Sequence, residues 1–275
     1  MSLIGLSGNA LSAEINVPGD HATIQAAVAA ASPGDVIVVN GGIYKEQITI
    51  NKELTLKGAP FPTVTIIEAV ENQLGASIKV LPGVTNVNIE NLVVQCIPTE
   101  QNIGGGNGDN RLAGIWFQGA SGTVDSVSVL DFRRNVALQG NQEGNGIQLR
   151  GSIFDNVSTW DNTVSVMNCI VTGYQKTGIL GNGNVRLIVS GNTVTGFGPV
   201  NFIAQNGVQI GFGATGVVEF NVISGNDYTP AGTISCGILF YDASGVRSRQ
   251  NMISGNERPL GNFGRGGGDV QACDE

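Results

Sequence analysis

Amide, aromatic and guanidinium side chains recur at fixed positions after a repeated Gly-Ile or Gly-Val dipeptide. This dipeptide begins at five glycines: Gly114, Gly146, Gly178, Gly207 and Gly237. Successive side chains of a strand point to opposite faces, so if the Ile or Val points inward, the first and third residues after it point outward. The outward residues that suit ligand binding are then Trp116, Gln118, Gln148, Arg150, Gln209 and Tyr241.

These residue types are typical of a surface that binds sugars. An aromatic ring offers a flat apolar face, and amides offer paired donors and acceptors. The planar guanidinium of Arg150 suits the carboxylate of a uronic acid. We therefore predict that these six residues form a glycan-binding face. An ordinary solenoid surface packed by loops is the alternative, because exposed faces of mixed character are normal.

The first and third residues after each Ile or Val form two outward columns along the repeat, and neither column contains a carboxylate. The other members of the two columns are Leu180, Leu239, Asn182 and Gly211. Glycoside hydrolysis usually needs a pair of carboxylates, so the sequence assigns no catalytic residue. Asp109 and Asp242 flank the face in the sequence, and either could reach it from a loop.

The sequence predicts no metal site and no cofactor. Its cysteines have neither a CxxC motif nor the spacing of metal ligands, which favours buried or free thiols; they are Cys96, Cys169, Cys236 and Cys273. Loop 103–111 resembles a calcium-binding nonapeptide, but its Asp109 comes one place early and the motif occurs only once. Such calcium sites need stacked copies, so we expect a flexible loop here, with calcium as the alternative.

A repeat must position the candidate residues. The five Gly-Ile or Gly-Val glycines are 32, 32, 29 and 30 residues apart. A second marker, Asn followed by three residues and Gly, begins at Asn192, Asn221 and Asn251, each 14 residues after the glycine of its Gly-Ile or Gly-Val dipeptide. A fixed phase near 30 residues with several short strands per period indicates stacked coils.

We therefore predict an all-β fold, a parallel β-helix solenoid of about 30 residues per coil with a short capping helix at its N-terminus. One inward ladder should contain Ile115, Ile147, Ile179, Val208 and Ile238, and the repeated asparagines should bond along a turn. The apolar spacing predicts a helix over 21–31 with Asp20 as its N-cap. The predicted organisation is one domain with a capping segment 1–35, a β-helix 36–256 and a Gly-rich tail or cap 257–275.

The N-terminal segments 23–35, 36–39, 42–46 and 54–58 resemble the opening of right-handed parallel β-helix proteins. Pectin methylesterases and the NosD-like, carbohydrate-binding β-helix proteins share this opening. The resemblance implies the fold and its right hand. The segment 131–134 is only superficially similar to a catalytic element of the esterases. The lone histidine, His21, belongs to the predicted capping helix, which argues against the Gly-His-Gly chemistry of polygalacturonases.

Composition removes several classes of function. The net charge of −8 argues against a nucleic-acid binder, because such proteins carry a basic surface. No apolar run reaches the roughly 18 residues of a membrane-spanning helix. Residues 1–14 lack the basic start of a signal peptide, yet a sugar-binding solenoid favours an extracellular or cell- or particle-surface location.

Three interpretations of function remain open. The chain is a non-catalytic β-helix that binds a glycan or builds a surface assembly, a polysaccharide-active lyase, esterase or epimerase, or a structural rod that self-associates. The missing carboxylate columns favour the first and third. The resemblance to pectin methylesterases favours the second. The net charge of −8 favours a neutral or weakly acidic polymer as ligand. An insertion at 154–162 could form one wall of a groove.

Overall fold

The computed structural model describes residues 12–61, 63–104, 108–150 and 161–264. The chain winds through successive coils, and each full coil adds one strand to each of three sheets. Every strand pairing is parallel and brings together residues about one coil apart, as for Ile147 and Ile179. The predicted parallel β-helix is therefore confirmed.

Runs of Val, Ile and Thr bounded by Gly or Asn form the strands, because β-branched side chains pack well on a pleated surface. Sheet 1 consists of β1 (Glu14–Val17), β2 (Val36–Val39), β5 (Thr55–Gly58), β8 (Val87–Glu90), β11 (Gly122–Asp125), β14 (Asn162–Met167), β17 (Val185–Ser190), β20 (Thr215–Glu219) and β23 (Val246–Arg249). Sheet 2 consists of β3 (Gly42–Lys45), β6 (Thr65–Glu68), β9 (Val93–Gln95), β12 (Ser128–Leu130), β15 (Ile170–Thr172), β18 (Thr193–Thr195), β21 (Val222–Ser224) and β24 (Met252–Ser254).

Sheet 3 carries the repeated Gly-Ile or Gly-Val dipeptides. It consists of β4 (Ile48–Ile50), β7 (Ala76–Val80), β10 (Ala113–Phe117), β13 (Asn145–Leu149), β16 (Thr177–Asn182), β19 (Asn206–Gly211), β22 (Cys236–Tyr241) and β25 (Arg258–Phe263). Short 3-10 helices lie at Pro98–Glu100, Gly108–Asn110 and Val136–Leu138.

The capping helix α1 spans Ile24–Ala30, three residues shorter at its start than predicted. Thr23 is its N-cap, and the Thr23 hydroxyl accepts from the backbone N–H of Ala26 at 3.1 Å. Asp20, the predicted cap, instead accepts from the backbone N–H of Asn16 at 2.7 Å. With this one short α-helix, the described part of the chain contains no helix able to cross a membrane.

Glu46 fastens the capping helix to the first coil. Its two carboxylate oxygens accept from the backbone N–H groups of Ile24 and Gln25, both at 3.0 Å. These are groups that a helix start leaves without partners, and a carboxylate also complements the helix dipole. The Gly-x-Tyr-x-Glu element at 42–46 therefore has a structural role here.

The predicted inward ladder is confirmed. Sheet 3 pairs its members directly, and none is more than 1% exposed: Ile115, Ile147, Ile179, Val208 and Ile238. Three of the four cysteines, Cys96, Cys169 and Cys236, are also buried, as expected for small apolar side chains.

The repeated asparagines form the predicted ladder at the turn between sheets 1 and 2. The Asn192 amide donates to the Oδ1 of Asn221, and the Asn221 amide donates to the Oδ1 of Asn251, both at 2.9 Å. The same oxygens accept from the backbone N–H of Asn192 and Asn221. Each asparagine thus joins its own coil to the next, which satisfies polar groups that the turn buries.

Both predicted ends of the solenoid need correction. β1 lies within 1–35 and pairs with β2, so the first sheet strand precedes the capping helix. β25 lies within 257–275 and pairs with β22, so the β-helix extends past residue 256. β1 extends sheet 1 by one strand, and β25 extends sheet 3 by one strand, each in parallel register with its neighbour. Residues 265–275, with Cys273, lie outside the described residues.

Candidate functional site

The outer face of sheet 3 carries the predicted columns. Trp116 pairs with Gln148, which pairs with Leu180, and the column continues through Gln209 and Leu239. The second column runs from Asn182 through Gly211 to Tyr241 in direct register. Trp116 packs with Ala76 and Ala113 in a cluster separate from the main core. The outward orientation was therefore predictable from strand alternation.

A third outward column escaped the sequence analysis. It precedes the repeated glycine by one residue and contains Asn145, Thr177 and Asn206, with Thr177 and Asn206 paired directly. Strict alternation counted backwards from the inward Ile or Val would place these three side chains inward. They line the groove instead, and a Cβ on Gly146, Gly178 or Gly207 would meet core side chains, so the alternation breaks at the repeated glycine and the sequence pattern misses this column.

The first part of the predicted face is covered, contrary to expectation. Trp116 is only 1% exposed, with the Lys79 ammonium 4.4 Å from its ring centroid and its indole N–H donating to the Arg150 carbonyl at 3.0 Å. Gln118 is also buried, and its amide donates to Asp109 at 2.9 Å. Strand alternation gives the side of a sheet but not what packs over it, so exposure of these residues was wrongly predicted.

Gln148 and Asn145 mark the edge of this covered region. The Asn145 amide donates to the Gln148 side-chain oxygen at 2.9 Å, and Gln148 is 1% exposed. Within the described residues, the Asn145 Oδ1 and the Gln148 Nε2 have no hydrogen-bond partner. Of the two, only Asn145 lines the open space beyond.

A groove of about 610 Å³ opens over the rest of the face. Three predicted residues line it: Arg150, Gln209 and Tyr241. It runs along the coils of β13, β16, β19, β22 and β25, and loop residues complete its walls. Its remaining lining residues are Arg111, Gln142, Asn145, Lys176, Thr177, Leu180, Asn182, Asn206, Phe212, Gly232, Thr233, Ile234, Leu239 and Phe263.

Arg150 is the most unusual polar residue of the groove. Only 6% of its surface is exposed, and its Nε and Nη2 have no hydrogen-bond partner in the described part of the chain. Its guanidinium lies 5.8 Å from the centroid of the Trp116 ring. Burial, followed by the like charge of Arg111, lowers the pKa of Arg150 to about 10. Buried donors normally find partners, so the two unpartnered nitrogens of Arg150 need an explanation.

Two further cations lie at the same end of the groove. Arg111 donates to the Gln142 carbonyl at 2.9 Å, and burial lowers the pKa of Arg111 as well. The Lys176 ammonium donates to the Ala204 carbonyl at 2.5 Å, and burial lowers the pKa of Lys176 to about 8. Both were missed, because they precede the repeated strands and show no periodic signal.

Amides connect the middle of the groove. The Asn206 amide donates to Gln209 at 3.3 Å, and the Gln209 amide donates to Asn182 at 3.2 Å. The chain of amides holds Gln209 across two coils. Because each amide has both donors and acceptors, such a row can also meet sugar hydroxyls.

Aromatic rings form the far end. The rings of Phe212 and Tyr241 lie 5.1 Å apart between centroids with a tilt of 50°, and Phe263 lines the groove beside them. Phe212 has a φ of 56°, a left-handed conformation that is unusual for a bulky residue. Its backbone N–H donates to the Tyr241 carbonyl at 2.8 Å, which holds it there. Asp242 follows Tyr241 but is not a lining residue.

Among the residues that the structure describes, no Asp or Glu lines this groove, and no cluster of His, Cys, Asp and Glu could hold a metal ion. Asp109 pairs with Lys79 at 3.7 Å. Residues 105–107 of the calcium-like loop lie outside the described residues, so calcium there stays a prediction. Residues 151–160, most of the predicted insertion, also lie outside them.

No family model and no curated protein sequence matches the chain. Among solved structures, pectate lyase Pel9A matches with a TM-score of 0.54 and 14% identity, over 96% of this chain and 74% of that chain. Rice weevil pectin methyl esterase matches with a TM-score of 0.47 and 14% identity, over 90% and 83% of the two chains. At this identity the likeness to Pel9A is one of fold, and it confirms the predicted right-handed parallel β-helix at that level.

Proposed function

We propose that the groove binds a polysaccharide that contains uronic acid, with a sugar carboxylate on Arg150. The observation that carries this proposal is the buried Arg150 guanidinium, whose Nε and Nη2 lack partners in the described residues. A guanidinium offers parallel N–H groups that match the two oxygens of a carboxylate. A buried donor without a partner costs free energy, and a bound carboxylate would recover it.

The electrostatics of the groove support an acidic group at this position. Arg111, Arg150 and Lys176 place three positive charges along the groove in a chain whose net charge is −8. The carboxylate of Asp109 acts on Arg150 as an opposite charge. Arg111 acts on Arg150 as a like charge. An anion between the two would replace this repulsion with attraction. The rest of the chain repels a densely charged polymer, so a sparsely acidic one fits better.

Titration calorimetry with a uronic acid tetrasaccharide tests this proposal. The Arg150→Gln variant should bind roughly 10–100-fold more weakly, because a charge-assisted pair is lost. Arg186→Gln is the matched control, since Arg186 is exposed on sheet 1 outside the groove. It should bind like the wild type. No binding of the tetrasaccharide, or equal losses in both variants, contradicts the proposal.

A second candidate function is β-elimination of the same polymer, and Lys176 is the observation that favours it. With a pKa near 8, its amine is partly neutral at mildly alkaline pH and can act as a base in the groove. The amine would remove the proton on the carbon next to the carboxylate. The electron pair then forms a C=C bond as the glycosidic C–O bond breaks, the leaving oxygen takes a proton from water, and the Lys176 ammonium returns its proton to the hydroxide.

Ultraviolet absorbance of the new conjugated double bond measures this reaction. The rate should rise with pH through about 8, as Lys176 loses its proton. Lys176→Met should abolish turnover while leaving uronate binding within about threefold, because Arg150 supplies the main contact. Binding without turnover at any pH supports a non-catalytic binder.

A polysaccharide ligand favours an extracellular or cell- or particle-surface location, as the sequence predicts. Self-association of the rod remains the alternative. If neither acidic nor neutral glycans bind across a broad panel, the structural-rod interpretation replaces the proposal.

A further inference from the structure

The lining of the groove changes character along the solenoid axis. Arg150 follows β13. Arg111 precedes β10 and reaches the Gln142 carbonyl on the coil of β13, and Lys176 precedes β16 and reaches the Ala204 carbonyl before β19. Phe212, Tyr241 and Phe263 lie near the last coils, those of β19, β22 and β25. Positive charge and aromatic surface therefore occupy opposite ends of one groove.

The two ends are separated by the length of a short oligosaccharide. β13 and β22 are three coils apart in sheet 3. Neighbouring strands are about 4.8 Å apart, so Arg150 and Tyr241 are separated by roughly 14 Å along the axis. An extended sugar chain along the groove would place different sugar units at the two ends.

The aromatic end suits an uncharged sugar. Among the lining residues described beyond β16, none is cationic. Arg258 packs 5.4 Å from the Phe263 ring centroid but does not line the groove. A sugar carboxylate bound here would lose its hydration and gain no charged partner from the groove lining. The C–H face of a neutral sugar, in contrast, packs well on an aromatic ring.

The position of the Phe212 ring, and not its backbone, supports a ligand role. Phe212 and Phe220 share a positive φ, 56° and 58°, so this conformation belongs to the turns of the solenoid. The Phe212 ring lines the groove beside Tyr241, whereas Phe220 lies outside the groove and is 52% exposed. Phe220 is therefore the matched control for Phe212.

We propose that the groove recognises a mixed polysaccharide, with an acidic sugar at Arg150 and a neutral sugar on the Phe212–Tyr241 pair. The inference rests on the proposed function and narrows its substrate class. Polymers of uronic acid alone would bring a carboxylate to the aromatic end. Polymers of neutral sugar alone would leave Arg150 without its partner.

Three tetrasaccharides test the proposal by titration calorimetry: one of alternating uronic and neutral sugars, one of uronic acid only, and one of neutral sugar only. The alternating compound should bind at least about fivefold more tightly than either of the others. Phe212→Ala and Tyr241→Ala should each weaken its binding about fivefold to tenfold, and should change uronate-only binding less than twofold. Phe220→Ala should change none of the affinities.

The outcomes separate the two proposals. If the uronate-only tetrasaccharide binds through Arg150 as tightly as the alternating one, the mixed-polymer inference is wrong and the proposed function stands. If Phe212→Ala and Phe220→Ala have equal effects, the aromatic subsite is wrong. If no tetrasaccharide binds, or Arg150→Gln binds as the wild type does, the proposed function fails, and the inference with it.

Discussion

The outer face of sheet 3 contains a covered region, formed by Lys79, Trp116, Gln118 and Gln148, and a groove built from the same columns. In the covered region, Trp116 and Gln118 donate to protein acceptors, and only at its edge does the Gln148 Nε2 lack a partner among the described residues. In the groove, Arg150 keeps two nitrogens without partners among the described residues. Buried polar groups that are satisfied stabilise a fold, whereas unsatisfied ones need an explanation outside it. The contrast between Trp116 and Arg150 therefore supports a structural role for Trp116 and the proposed ligand contact for Arg150.

The same division recurs at the turn between sheets 1 and 2. In the coils that contain β10, β13 and β16, the residues at this turn are Leu92, Val127 and Cys169, and all three are buried. The coils of β19, β22 and β25 place the asparagine ladder at this position, with Asn221 at its centre. Side-chain hydrogen bonds along the axis thus join the coils that carry the aromatic end of the groove.

The largest effect should come from the covered region. Trp116→Ala should lower the free energy of unfolding by about 3–5 kcal/mol, because it empties a closed site and removes a buried hydrogen bond. Tyr241→Ala, in the groove, should cost less than about 1 kcal/mol because its ring already faces open space. Urea denaturation measures both. Equal losses would mean that the two regions do not differ as described.

The asparagine ladder should give the next largest effect. Asn221→Leu leaves the Asn192 N–H and the Val189 carbonyl without their partners. At about 1–3 kcal/mol for each buried orphan, we expect a loss near 3 kcal/mol in urea denaturation. The exposed Asn184 is the matched control, and Asn184→Leu should change stability by less than about 0.5 kcal/mol. Similar values for the two variants would refute a structural role for the ladder.

Repeating features were predictable from the sequence because periodicity reports what every coil shares. The inward ladder from Ile115 to Ile238 and the asparagine stack follow directly from the repeat. The groove does not, because Arg111, Lys176 and Ile234 reach it from connections that differ between coils. The Trp116 ring is covered in part by Lys79, which lies 37 positions earlier in the chain, and no local sequence pattern connects the two residues.

Arg150→Met should have a smaller effect on stability, and of opposite sign. Removing an unpartnered buried cation should raise the free energy of unfolding by about 1 kcal/mol near neutral pH, while uronate binding is lost. Arg134 is the matched control, a fully buried guanidinium paired with Glu143 at 3.0 Å. Arg134→Met should instead destabilise by about 3–5 kcal/mol, because the Glu143 carboxylate stays buried. A lower free energy of unfolding in both variants would show that Arg150 stabilises the fold, which contradicts its proposed role as a ligand contact.

The smallest effect should come from Lys176 and should depend on pH. Its pKa is about 8 in the folded chain, below the ordinary lysine value, so burial opposes the charged form. Between about pH 8 and the unfolded value near 10.4, the unfolded chain binds the proton and the folded chain does not, so wild-type stability rises with pH there. Lys176→Met should therefore be more stable than the wild type by about 1 kcal/mol at neutral pH, and this advantage should shrink as the pH approaches 10.

The control variant Lys176→Arg keeps its charge throughout, so its stability should not rise between about pH 8 and 10. Thermal denaturation in matched buffers measures all three chains, and parallel curves for the wild type and Lys176→Met would mean that the groove leaves Lys176 as hydrated as an exposed lysine.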